Sequence, residues 1–341
     1  MSNVTQPTDF SDLYTDLLNR IRADTSITAT VNQSKRYINV ALHDIHIGVS
    51  EKLPWAERED VLRTQQKYNT GTVTITQGSA SLTGSSTAWN TNNVFGVANA
   101  RTTGKIVIAG TPDVYGIASV DSDTGITLND AFVGSDISAE SYLYFEDEYA
   151  LNDDFLRPLD QQYFDSNSNI PLIGRDEFRR QHPRNKTPGK IKHATIVDRA
   201  FSGNTSPVRR VRFYLPPDDF YLVPYAFITD KLAVSSSGTE QVQLSADDDE
   251  PIMPLRYRHL IVWHALHLWY RDKKNDTRAQ EAKAEFVDLW SRTVSDTEIG
   301  AKRAKINPQV GGYKTRARHP YSKRNSRYTT GTAFDEIRDR R

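Results

Sequence analysis

The residues best suited to metal chemistry are histidines at helical spacing. His43 and His46 stand three positions apart, as do His264 and His267, with His259 shortly before the second pair. If the two predicted helices packed together, four imidazoles could meet at a metal ion. The pattern lacks the glutamate of a His-Glu-x-x-His motif. Half-buried helix positions explain it without a ligand, so we expect no metal site.

Adjacent carboxylates form a second set of candidates. Asp153-Asp154 and Asp218-Asp219 resemble paired catalytic acids, and the acidic run 247–250 resembles a calcium loop. Adjacent side chains of an extended chain point apart, and turn chemistry accounts for both pairs. The acidic run does not have EF-hand spacing, and carboxylates at a helix N-terminus explain it. We expect turns and a helix start, not catalysis.

The sequence excludes several classes of protein. It has no Cys, which excludes disulfides, metal sites with Cys ligands and a Cys nucleophile. It has no glycine-rich nucleotide loop and no Gly-x-Ser-x-Gly motif. The longest apolar run, 260–270, is too short for a membrane helix, and residues 1–9 do not resemble a signal peptide. We therefore expect a non-enzymatic protein without cofactors that stays off membranes.

The charges are divided unevenly along the chain. The 341 residues contain 43 Lys and Arg and 43 Asp and Glu, a formal net charge of zero. Residues 301–341 carry 12 basic and 3 acidic side chains, so this segment has a charge of +9 and the remainder −9. Aliphatic residues are sparse after Asn307, so the segment is expected to need a partner in order to fold.

Tyrosines alternate with the basic residues of this C-terminal segment. The mixture favours docking on an acidic protein surface, with nucleic-acid phosphates and simple solvation as the two alternatives. The residues expected to dock are Tyr313, Lys314, Arg316, Arg318, Tyr321, Lys323, Arg324, Arg327 and Tyr328.

Apolar periodicity predicts helices at both ends of the chain. Asp9 or Thr8 can cap a helix that begins at Phe10, and a second helix is predicted from Thr28 to about Ser50. Two more are predicted over 254–272 and 277–294. An alternative end for the last helix is about Lys305, shortly before Pro308 and two glycines stop it. The apolar side chains expected to divide between the core and neighbouring subunits are Trp263, Leu266, Trp269 and Tyr270.

Between the helices, residues 70–145 are rich in Thr, Ser, Gly, Val and Ile. Short alternating runs separated by turn residues predict a small β-barrel or sandwich. The predicted strands are 72–76, 105–109, 114–120, 125–128 and 142–145.

These elements predict an α+β fold in which a helical bundle of about four helices carries an inserted small antiparallel β-barrel or sandwich module, followed by an extended C-terminal tail. The predicted parts are an N-terminal helical part at 1–68, the inserted module at 69–147, strands, loops and helices that complete the body at 148–306, and a basic docking tail at 307–341.

The arrangement resembles the head-to-tail adaptor proteins of tailed bacteriophages, the connectors beneath the portal ring. The resemblance covers about residues 8–305 and rests on four stretches: the N-terminal helical pair, the Thr/Ser-rich run 71–89 with its continuation to 145, the motif at 149–155, and the Pro-x-x-Pro entry at 249–257 before the apolar helix. The motif at 149–155 departs from the family pattern, because Asn152 stands where the family more often has Pro.

The resemblance implies a homo-oligomeric ring, usually a dodecamer, whose helical body extends the DNA channel. It implies that the C-terminal segment docks on the portal protein and that tail or tail-completion proteins attach to the ring. Double-stranded DNA would pass without sequence-specific binding, and the virion would be assembled in the host cytoplasm. The alternatives are a tail or baseplate component and a DNA-binding structural protein with a basic tail.

Overall fold

The computed structural model of the protein describes residues 6–47, 53–160, 162–165, 169–183, 185–199 and 208–316, with the backbone alone at 199, 208 and 297–316. Its five α-helices are α1 Phe10–Ile21, α2 Thr28–Ile47, α3 Arg175–Gln181, α4 His259–Asp272 and α5 Asp276–Arg316. None of these helices is long and apolar enough to cross a membrane.

The described residues also form eighteen β-strands. They are β1 Glu57–Arg63, β2 Thr72–Ile75, β3 Ser81–Ser85, β4 Lys105–Ile108, β5 Tyr115–Ser122, β6 Gly125–Leu128, β7 Ile137–Glu140, β8 Tyr142–Phe145, β9 Glu148–Ala150, β10 Phe155–Pro158, β11 Tyr163–Asp165, β12 Ile170–Pro171, β13 His193–Arg199, β14 Val208–Tyr214, β15 Leu222–Thr229, β16 Ala233–Val234, β17 Glu240–Gln241 and β18 Glu250–Pro251.

The chain divides into two compact units. The helical unit combines residues 1–55 with 232–341, and the β unit comprises residues 56–231. The helical unit holds α1, α2, α4 and α5, together with the small sheet β17-β16-β18. The β unit holds α3 and all the remaining strands.

Local signals explain how the helical unit begins. The Asp9 carboxylate caps α1 by accepting the Asp12 N–H at 2.8 Å, as the sequence predicts. Phe10, Leu13 and Leu17 then recur on one face and are almost fully buried. α4 is apolar around most of its surface, which is typical of a central helix. The core therefore forms around α4, with α1, α2 and α5 packed against it.

A seven-stranded antiparallel sheet forms the first half of the β unit. Its order is β7-β2-β3-β6-β5-β4-β8. The two outermost strands, β7 and β8, are separated in sequence by Ser141 alone, so the sheet must curl until its edges approach. The curled sheet encloses a core around Trp89, whose indole N–H donates to the Tyr142 hydroxyl at 2.9 Å. Gly84 is required there, because a Cβ atom would lie 2.7 Å from the Trp89 ring.

Two three-stranded sheets form the second half of the β unit, in the orders β1-β15-β10 and β13-β14-β9. Their shared core is aromatic and includes Phe164, Phe213 and Phe227. Pro224 lies within the central strand β15, where a missing N–H would normally break a ladder. It is tolerated because β10 pairs only with residues 227–229 of β15.

The predicted fold class, a helical bundle with one small inserted module, is wrong. The described chain is mostly β, with a curled seven-stranded sheet and four smaller sheets beside five helices. The error concerns residues 56–68, which were predicted as part of the N-terminal helical region, and residues 148–231, whose strands and loops were predicted to complete a helical body. Instead β1 pairs with β15 along its whole length, and the strands between them bury an aromatic core of their own.

Candidate functional site

The predicted histidine cluster lies where α2, α4 and α5 meet. The Nε2 atom of His264 on α4 lies 3.2 Å from the Asp44 Oδ2 atom on α2, and its ring lies 4.7 Å from that of Phe286 on α5. Burial lowers the pKa of His264, and the Asp44 carboxylate only partly offsets this effect. His264 is therefore neutral at pH 7 and joins three helices.

The other histidines do not converge with His264 on a common point. His267 donates from Nδ1 to the Ala279 carbonyl of α5 at 2.9 Å. His46 is buried, whereas His43 is exposed, with its Nδ1 atom 3.9 Å from Asp44. Within the part of the chain that the structure describes, no three His, Asp or Glu residues are grouped so as to hold a metal ion.

The acidic run 247–250 anchors α1 and does not begin α4. The backbone carbonyls of Asp247 and Asp249 accept the N–H groups of Ser11 and Phe10 at 2.9 and 2.8 Å. The buried Asp249 carboxylate accepts the Ser245 and Ala246 N–H groups at 2.7 and 2.8 Å. Burial opposes ionisation of Asp249, but these hydrogen bonds outweigh it and lower its pKa. The expected helix start at 254 lies instead at His259.

The four predicted interface residues on α4 differ in burial. Leu266 and Trp269 are buried in the core of the helical unit. Trp263 and Tyr270 are only partly buried. The Arg20 guanidinium lies 4.5 Å from the Trp263 ring, and Tyr270 accepts a 3.4 Å hydrogen bond from Arg278. Of the four, Trp263 and Tyr270 keep part of their side chains exposed.

The predicted docking tail begins on α5. The helix runs to Arg316 and so passes Pro308, where the sequence predicts its end. This helix includes Tyr313, Lys314 and Arg316. The other predicted docking residues are outside the described residues: Arg318, Tyr321, Lys323, Arg324, Arg327 and Tyr328.

A buried acidic triplet in the β unit did not emerge from the sequence. Glu146, Asp147 and Glu148 are 1%, 0% and 5% exposed; the first two connect β8 to β9, and Glu148 begins β9. Arg101 holds Glu146 at two points, with Nε to Oε1 at 2.8 Å and Nη2 to Oε2 at 2.6 Å. The Tyr144 hydroxyl also donates to Glu146 Oε1 at 2.6 Å.

Two more cations complete this ionic cluster. Lys105 of β4 lies 2.6 Å from Asp147 Oδ1, and Arg212 of β14 lies 3.0 Å from Oδ2. Removing one member of such a set leaves a buried charge without its counter-ion. Because Lys105 and Arg212 belong to different sheets, the cluster fixes the curled sheet to the sheet that contains β9. Three charged residues directly after an aromatic strand were the only signal in the sequence.

Beside the cluster lies a groove of about 520 Å³. Its lining includes residues 60–63 of β1, residues 148–153 around β9, and the side chains of Arg101, Arg210 and Tyr225. Tyr149 and Tyr225 are its buried aromatic members, whereas Val61 and Ala150 are exposed. The groove combines residues of two strand edges with charged side chains of both signs.

The suspected catalytic acid pairs make structural hydrogen bonds. Asp154 accepts the Thr229 hydroxyl at 2.7 Å, and Asp218 accepts the Tyr221 hydroxyl at 2.7 Å. The bond to Asp218, reinforced by burial, raises the pKa of Tyr221 to about 12. Asp153 is exposed at the groove.

Comparison with known proteins adds no family to these observations. No protein-family model matches the sequence, and no curated protein matches it.

Proposed function

We propose that this chain is a structural, non-enzymatic virion protein of a tailed bacteriophage, acting as the head-to-tail adaptor beneath the portal. Copies would form a ring, a dodecamer by the family resemblance, that extends the DNA channel and receives tail or tail-completion proteins. The C-terminal segment 307–341 would dock on the portal protein. DNA would pass through without sequence-specific contacts, and assembly would take place in the host cytoplasm.

The observation that carries the proposal is the course of α5. The first turns of the helix pack into the core of the helical unit, where Ala279 and Ala282 are buried. It then continues to Arg316, well inside the segment that carries a charge of +9. A helix fixed at one end in a folded core presents a basic segment at the same place on every subunit, which suits repeated docking around a ring.

The surface of α4 supports association between copies. Trp263 and Tyr270 keep part of their large rings exposed, and aromatic residues of this kind are enriched at protein interfaces. An arginine lies over each ring: Arg20 is 4.5 Å from the centre of the Trp263 ring, and Arg278 is 5.6 Å from that of Tyr270. Such preorganised aromatic and arginine pairs are common anchors of protein interfaces.

The test is to mix the full chain with its portal ring and weigh the product by native mass spectrometry. We expect one ring of copies to add to each portal. The triple variant Arg318→Gln, Arg324→Gln, Arg327→Gln should bind at least about ten-fold more weakly, because it removes three cations from the docking segment.

A matched control removes three exposed arginines elsewhere: Arg179→Gln, Arg256→Gln and Arg292→Gln, whose side chains are 68%, 65% and 72% exposed. Equal weakening in both variants would show general charge attraction and overturn the docking role. Trimers or hexamers without portal binding would favour a tail or baseplate component. Binding to duplex DNA that weakens steeply with salt and is lost in the first variant would favour the DNA-binding alternative.

A further inference from the structure

Positive and negative charges occupy different parts of the β unit. Between residues 68 and 156 the only basic side chains are Arg101 and Lys105. Each of them lies 2.6 Å from a carboxylate of the buried ionic cluster. Residues 178–197, in contrast, contain six Lys and Arg and no Asp or Glu. The unit therefore has one region whose two cations are already paired with carboxylates, and another region that contains cations alone.

The acidic region has a compact end at one edge of the curled sheet. It consists of three connections between strands: 76–80, 109–114 and 129–136. The Gly78 N–H donates to the Phe132 carbonyl at 2.8 Å, which joins the first connection to the third. The Phe132 ring lies 5.7 Å from that of Tyr115, which directly follows the second connection. The three connections therefore lie side by side.

These connections contain three aspartates and no Lys or Arg. Asp113, Asp130 and Asp136 are exposed, and we call these three residues the acidic rim. Val133, between the last two in sequence, is 75% exposed. An exposed apolar side chain among charged neighbours is a common arrangement at protein interfaces.

The acidic rim lies at the end of the curled sheet that is far from β9. β8 begins beside the rim, because its Tyr142 pairs with Ile108 at the end of β4. β8 then ends at Phe145, immediately before the ionic cluster and β9. The length of the curled sheet therefore separates the rim from the sheet β13-β14-β9.

The cations of the basic region meet at Tyr214, the last residue of β14. His182, which follows α3, stacks on the Tyr214 ring with 3.4 Å between the ring centroids. The Lys192 N–H donates to the Tyr214 carbonyl at 2.7 Å. These contacts bring the end of α3 close to the segment before β13. Arg180, Lys190 and Lys192 are exposed there, and we call these three residues the basic corner.

Two separated surfaces of opposite charge suit a contact between copies of the chain. Copies that join head to tail need two different surfaces that complement each other. Contacts between two basic corners, or between two acidic rims, would bring like charges together, whereas corner against rim brings opposite charges together. A nucleic acid would match the basic corner only and leave the rim unused. A second copy matches both surfaces.

We propose that the basic corner of one copy binds the acidic rim of the next copy, and that this head-to-tail contact joins neighbouring subunits of the ring. The proposal rests on the ring of the proposed function and names the surfaces that hold its β units together. In this contact Lys190 and Lys192 lie against Asp113 and Asp130, and Val133 is covered. Asp136 keeps its hydrogen bond from the Gln77 N–H at 2.7 Å.

The test measures self-association of the full chain by sedimentation velocity, without portal. We expect the original chain to associate at about 0.1 M salt and to dissociate at about 1 M, because the Debye length falls from about 10 to about 3 Å. The corner variant Lys190→Glu, Lys192→Glu and the rim variant Asp113→Lys, Asp130→Lys should each associate at least about ten-fold more weakly at the lower salt.

Two further samples bring opposite charges together again. One is an equimolar mixture of the corner variant and the rim variant, and the other is a single chain with all four substitutions. We expect both to associate as the original chain does. An original chain that stays monomeric at about 0.1 M salt, or restoration in neither sample, would overturn the proposal.

A matched control reverses two exposed lysines outside both surfaces, Lys67→Glu and Lys283→Glu. It changes the net charge as much as the corner variant does and should associate like the original chain. Equal weakening in the control would show general repulsion and count against the contact. Thermal unfolding of each variant checks that it is folded, which the exposure of the substituted residues leads us to expect.

Nucleic acid as the partner of the basic corner would give a different pattern. The corner variant would then lose binding to duplex DNA, and the mixture would not restore association, which overturns the proposal. The adaptor role is tested separately. Portal binding without any effect of the charge reversals would retain the adaptor role and reject this contact. Restored association in a chain that does not bind portal would support the contact and reject the adaptor role.

Discussion

Arg101 and Glu146 form a two-point ion pair at 2.8 and 2.6 Å, in which the carboxylate is 1% exposed. The pair lies at the end of β8, where the curled sheet passes into β9. The same carboxylate also accepts the Tyr144 hydroxyl. The buried carboxylate therefore has a counter-ion and a hydrogen-bond donor. The connection between the curled sheet and β9 depends on both contacts.

Arg101→Ala should destabilise the β unit by about 3–5 kcal/mol, because it leaves a buried carboxylate without its partner. Urea unfolding followed by circular dichroism measures the loss. Arg175→Ala is the control, since the Arg175–Asp198 pair is 3.6 Å long and about two-fifths exposed on both sides, and should cost less than about 1 kcal/mol. Equal losses in the two variants would contradict the role of the buried pair.

Asp249→Asn should weaken the helical unit at pH 7 by about 1–3 kcal/mol, because two backbone N–H groups lose a charged acceptor. The folded protein lowers the pKa of Asp249 below its usual 3.8. The stabilisation is therefore complete above about pH 4 and is lost as the pH falls through the lower folded value. Unfolding measured at pH 7 and pH 3 should show a smaller difference between the variant and the original chain at pH 3. The exposed neighbour Asp248→Asn should show no such difference at either pH.

His264→Gln should remove part of the pH dependence of stability near neutrality. Burial lowers the pKa of His264 from 6.5, so the unfolded chain binds a proton more readily than the folded one. Stability therefore falls as the pH drops below about 6.5 and continues to fall to the lower folded pKa. Thermal unfolding at pH 7.5 and 5.5 should show a smaller drop in the variant. His43→Gln, at a side chain that is 56% exposed, should keep the drop of the original chain.

The sequence by itself determined the elements whose signals are local. Asp9 and the apolar positions after it specify α1, and the predicted strands 125–128 and 142–145 coincide with β6 and β8. These predictions succeed because a cap, a helical stripe or an alternating run acts between neighbouring residues. The charge of the C-terminal segment is likewise a property of composition.

Tertiary structure alone decided the pairing of distant segments. β1 was taken as the end of a helical part, yet its partner β15 lies more than 150 residues later and turns residues 56–231 into one β unit. The Glu146 cluster and the groove depend on the same long-range pairing, since Arg101, β1 and β9 meet only after the sheets form. No periodicity encodes a contact between segments so far apart, so the burial of three consecutive acids could be seen only in the folded chain.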